Sequence, residues 1–243
     1  MLISQGDARS IDVDRRLAWI LAAVAGALNA AAFRAVGFFS ANMTGNVSSL
    51  SAHLAAGDLV MGAFYLAIVV AFILGAGFST LLINLGRRRR IHAIYAFSIL
   101  AEATLLALLG CADFWLPAAS RGAVLVLGLS FLMGLQNAVV TRISEARVRT
   151  THVSGMATDI GIELGMLLDI ARGREGPAEA APVRARLRLH AQTVLAFLAG
   201  GVAGVVLYRS IGGFLLIAAA AVLFGVALSG IIRLRRLQDA LSA

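Results

Sequence analysis

The sequence predicts an all-α polytopic membrane protein: six transmembrane helices arranged as a 3+3 inverted repeat, with a short extra helix after the first span of each half. Three observations lead there. The first is composition: of 243 residues, 60% are apolar and only 14% charged, more apolar surface than a soluble domain of this length can hide. The second is a set of six apolar runs long enough to cross ~30 Å of hydrocarbon at ~1.5 Å per residue. The third is a polar motif that recurs once in each half of the chain.

The six runs are Leu17 to Val36, Val60 to Ile83, Ile91 to Leu109, Ala123 to Val140, Ala191 to Leu207 and Ile211 to Ile232. Glu102 is the one carboxylate within the third. The first run reads as a retained anchor, because Asp7, Asp12 and Asp14 precede it and its apolar length exceeds that of a signal peptide. All 21 basic residues are arginine. With the N-terminus inside, eighteen of them fall on the cytoplasmic side, leaving Arg34, Arg121 and Arg209 at outer ends. Net charge +8 is therefore a record of membrane orientation, with anionic lipid rather than nucleic acid as its partner.

The division that follows is a cytoplasmic N-terminal segment (1–16), a first three-span repeat (17–111), an external loop (112–122), a second three-span repeat (123–232) and a cytoplasmic tail (233–243). The second repeat contains a basic, proline-bearing cytoplasmic linker at about 172–188. Both termini are expected in the cytoplasm.

The repeat is carried by Gly26-Ala-Leu-Asn-Ala-Ala-Ala-Phe-Arg34, which lies over Gly134-Leu-Gln-Asn-Ala-Val-Val-Thr-Arg142. Glycine and alanine matches are cheap in this composition. Asparagine and arginine near the ends of apolar runs are not, because polar groups there face protein or water. The similarity continues into Thr44-Gly45 and Ser154-Gly155, and, ungapped from there, His53 falls opposite Glu163. Three spans per half is an odd number, so the second half inserts upside down. Each Thr-Gly or Ser-Gly pair reads as the cap of a short helix, Val47 to Ala56 or Met156 to Ile170, lying at the membrane surface or re-entering it.

Phe39-Ser-Ala-Asn-Met-Thr-Gly-Asn46, Gly134-Leu-Gln-Asn-Ala138 and Thr150-Thr-His-Val-Ser-Gly155 resemble the signature motifs of the YoaK family of bacterial integral membrane proteins. The likeness runs from about Leu17 to Ile232, with Ser154 where the family pattern has threonine. It implies a six-span protein of the bacterial inner membrane and transfers neither substrate nor catalytic residues.

Candidate substrate-binding residues are Asn29, Asn42, Thr44, Gly45, Asn46, Gln136, Asn137, Ser154 and Gly155. The asparagines can donate and accept inside the bilayer, and helix N-termini suit anionic groups. Arg34 and Arg142, repeated five residues after an asparagine, are expected as gates or anion contacts, against the alternative of snorkelling anchors. Glu102, and Asp159 with Glu163 at i, i+4, are the acids available for proton coupling.

The four histidines lack metal-ligand spacing, Cys111 is alone, and no phosphate-binding or dinucleotide glycine pattern occurs. No cofactor or metal is expected. Ser154 with His152 or His53 lacks a Gly-x-Ser-x-Gly elbow, so no enzyme is expected. Gly161-x-x-x-Gly165 and Gly200-x-x-x-Gly204 permit close helix approach, within the chain or in a homodimer. The function expected is a small secondary transporter or exporter of an anionic or zwitterionic solute, with proton coupling an option. The alternative is a membrane scaffold or sensor whose polar residues only lock helices together.

Overall fold

The computed structural model describes residues 11–91 and 93–242; Asp7, Arg9 and His92 lie outside them. The described residues form eight α-helices: α1 (Ile11–Val36), α2 (Met43–Ala55), α3 (Leu59–Arg88), α4 (Ile94–Asp113), α5 (Ala118–Ile143), α6 (Val153–Ala171), α7 (Ala180–Ile211) and α8 (Phe214–Ser242). Six of them, all but α2 and α6, are long and apolar enough to cross a membrane. The chain is a multi-pass membrane protein.

Burial separates two kinds of span. Much of α1, α4, α5 and α8 is buried, with Leu17, Leu21, Leu28, Ile99, Leu106, Met133, Leu135 and Leu223 in the shared core. Helices α3 and α7 are far less buried and present Val70, Ile73, Leu74, Leu81, Leu195 and Leu207 outward. An apolar face of that extent suits acyl chains rather than water. Trp115, 87% exposed between α4 and α5, sits where amphipathic rings favour the headgroup layer.

Packing is pairwise: α1 lies against α7, α3 against α5, and α4 against α8, while α2 rests on α3 and α6 on α7. Glycines set two of these contacts. A Cβ added at Gly26 would fall on the main chain of Phe197, and at Gly200 or Gly204 on that of Ala23 or Ala27. Helices α3 and α5 meet in the same manner, Gly75 against Phe131 and Gly134 against Phe72. Without side chains at these points the backbones approach closely, and dispersion contacts hold the pair in lipid. Gly161 and Gly165 differ: a Cβ there meets nothing within 4 Å.

Three local expectations need correction. The short helices begin earlier than expected, capped by Asn42 and His152, so Thr44 and Ser154 fall in the first turn instead of capping it. The expected linker at about 172–188 is largely ordered: a 3₁₀ turn at Pro177–Glu179 runs directly into α7. Pro182 sits in the first turn of α7, where a missing N–H costs no helical hydrogen bond. Arg184, Arg186 and Arg188 are therefore helical. The expected external loop at 112–122 shrinks to residues 114–117, because α4 and α5 each extend further than their apolar runs.

Candidate functional site: a cavity where two short helices begin

Asn29 lies seven residues before the end of α1, and its Oδ1 accepts a hydrogen bond from the Ala41 N–H at 2.8 Å. The chain leaves α1 through Gly37, whose φ of +80° favours glycine. It then folds back to the level of Asn29 before α2 starts. The Asn42 side chain accepts from the Gly45 N–H at 3.1 Å, satisfying one orphan donor of α2. Asn46 is buried, its Nδ2 donating to the Phe39 carbonyl at 3.0 Å.

The second half does the same with different side chains. Asn137 Oδ1 accepts from Thr151 Oγ1 at 3.0 Å, and its Nδ2 donates to the Met133 carbonyl. After α5 the chain reverses through Glu145 and Ala146, at φ of 51° and 63°. These left-handed conformations cost non-glycine residues of order 1 kcal/mol each. The reversal brings Arg149, Thr151 and His152 beside Asn137 at the start of α6.

Both returns open on one cavity of about 1380 Å³. Asn29, Asn42, Thr44, Gly45, Asn137 and Ser154 line it. Asn46, Gln136 and Gly155 do not: Asn46 ties down its own loop, and Gly155 packs against the His152 ring. Gln136 turns into the protein, donating to Glu102 Oε1 at 2.8 Å and accepting from Thr150 Oγ1 at 3.4 Å. Glu102 is fully buried, and its Oε2 has no partner among the described residues.

The two arginines expected as gates stand elsewhere. Arg34 is exposed at the end of α1, and Arg142 donates to Asn84 Oδ1 at 3.2 Å, tying α5 to α3. The cation that lines the cavity is Arg149, with Nη1 3.3 Å from His152 Nδ1. In the sequence Arg149 is one of the eighteen arginines that fall on the cytoplasmic side. A signal was present, since carrying the Thr44–Ser154 register backward puts His152 opposite Asn42 and Arg149 opposite Phe39.

Asp159 and Glu163 also part company. Glu163 is buried against α7, with Oε1 3.1 Å from His190 Nδ1 and 3.9 Å from Arg186 Nε, while Asp159 is only half-buried. At the matching place in the first half, the His53 ring stacks on Tyr65 at 5.5 Å. His53 Nδ1 also lies 3.1 Å from Asp58 Oδ2. Asp58 caps α3, and the Met61 N–H, then His53, hold its carboxyl below the usual range. Among the described residues no cluster of His, Cys, Asp and Glu could hold a metal ion.

No curated protein and no solved structure matches the chain. A family model described as a protein of unknown function, DUF1275, matches residues 17–229. The chain therefore belongs to the DUF1275 family, the family of the YoaK membrane proteins whose motifs surround the cavity.

Proposed function

We propose that the protein is a small secondary transporter or exporter of the bacterial cytoplasmic membrane, moving a small solute through the cavity between α2 and α6. The observation that carries this reading is that the first turns of two short helices, one from each half, line the same cavity. Asn29 lies about 10 Å inside the end of α1 at ~1.5 Å per residue, so a chain that returns to it re-enters the membrane. Non-helical backbone at that depth is tolerated where it borders a cavity.

The 3+3 inverted repeat belongs to this proposal. Exchanging α1, α2, α3 and α4 for α5, α6, α7 and α8 turns the α1–α7 contact into the α5–α3 contact and the α2–α3 contact into the α6–α7 contact. It also carries Gly26 on Phe197 to Gly134 on Phe72, and Gly200 on Ala23 to Gly75 on Phe131. Such symmetry supplies two related conformations around one site. The arginine distribution supports cytoplasmic termini. Among the acids, Glu102 is best connected for proton coupling, because Gln136 joins it to the buried Thr150, next in the chain to the cavity-lining Thr151.

The scaffold reading draws on one observation of its own: both repeated asparagines hold loop residues. Uptake into proteoliposomes separates the two. With a panel of labelled carboxylates, amines and neutral solutes, the transporter reading expects saturable uptake of at least one, reduced when Ser48→Trp obstructs part of the cavity. Protein-independent leakage for the whole panel would favour the scaffold.

A further inference from the structure

The two helix starts that face the cavity are chemically unlike. At the α2 N-terminus the Asn42 side chain takes the Gly45 amide. The N-cap of α6 is His152, whose side chain accepts no amide. The Ser154 and Gly155 amides thus lack acceptors among the described residues, and the positive end of the α6 dipole stands open. Arg149 and His152 line the cavity at the same end. Arg149 Nη1 lies 3.3 Å from His152 Nδ1, and the guanidinium is a fixed positive charge that only donates.

A second observation points to a ligand independently of the helix end. Asn29 is only 7% exposed and lines the cavity, yet its Nδ2 has no acceptor among the described residues. The side chain is held through Oδ1 by the Ala41 N–H, which leaves the Nδ2 amide free to donate to an acceptor brought by a solute into the cavity. No aspartate, glutamate or lysine lines the cavity. Phe72, Phe197, Val194 and Val205 supply an apolar wall.

From these we infer that the cavity takes a monocarboxylate with an apolar body. Its carboxylate meets Arg149 and the open amides of α6, and its body lies along Phe72 and Phe197. A zwitterion fits less well, because an ammonium group finds no carboxylate there. The inference rests on the cavity being the solute site of the proposed transporter, and it narrows the solute from any anion or zwitterion to this class.

The test is equilibrium binding of labelled benzoate to the full chain in lipid nanodiscs, corrected for empty discs. Saturable binding is expected, displaced by hexanoate but not by acetate or benzylamine at the same concentration. Arg149→Gln should weaken it more than tenfold, and Arg235→Gln, on α8, which contributes no residue to the cavity lining, not at all. Because Arg149 is exposed, its replacement leaves the core intact. Absence of saturable binding, equal displacement by benzylamine, or wild-type affinity in Arg149→Gln would each overturn the assignment. Uptake of an amine or neutral solute alongside such a result leaves transport standing. Benzoate binding in a protein that moves nothing in the panel keeps the anion site and removes transport.

Discussion

Gln136 and Asn137 are adjacent and both polar, yet only Asn137 reaches the cavity. Neighbours on a helix point about 100° apart. Polarity within an apolar run marks both as inward-facing, but it cannot say which of two interiors each serves. The same limit explains the arginines: Arg34 and Arg142 stand out by repetition, while Arg149 reaches the cavity through a loop reversal at Glu145 and Ala146 that no periodicity encodes. Gln136 is thus a structural residue, joining α4 to the α5–α6 loop through Glu102 and Thr150. Replacing one partner strands the others, whereas removing a pair together is gentler. Gln136→Leu should therefore destabilise the protein by about 1–3 kcal/mol, read as a fall in Tm. The Glu102→Leu, Gln136→Leu double variant should lose less than the sum of the two single changes. Additive losses would contradict the pairing.

Six spans were legible because a helix in lipid must bury its own hydrogen bonds over a length the bilayer sets. The ends of elements were less legible. Proline and arginine after α6 read as a linker, yet the first turn of a helix tolerates both. The Thr-Gly and Ser-Gly pairs suggested caps, but Asn42 and His152 hold those positions. Glycine spacing was half-informative, since the pair in α7 packs tightly while the pair in α6 touches nothing. That contrast makes a prediction about helix pairs. Gly134→Leu should force α5 away from the Phe72 carbonyl, with an overpacking cost of about 1–3 kcal/mol or more, and should lower Tm and monodisperse yield. Gly161→Leu, open on α6, should leave both near wild type. Equal behaviour of the two variants would mean that backbone contact does not set the α3–α5 spacing.

Across the whole molecule, the proposed repeat rests in the sequence on four identities between Gly26–Arg34 and Gly134–Arg142. Its consequence, two helix starts on one cavity, required the chain reversals that fold each loop back onto an asparagine. Under that proposed repeat the matched positions differ in chemistry: His53 on Tyr65 falls opposite Glu163 on His190, and Asn42 opposite His152. The central claim is that this shared cavity opens alternately to the two sides of the membrane. It is tested most directly by labelling Thr44→Cys and Ser154→Cys, each in a Cys111→Ser background, with a membrane-impermeant maleimide in right-side-out and inside-out vesicles. Arg174→Cys serves as the cytoplasmic reference. The account predicts that both cavity cysteines react from both sides while the Arg174→Cys reference reacts only in inside-out vesicles. Labelling of the two cavity cysteines from a single, fixed side would contradict it.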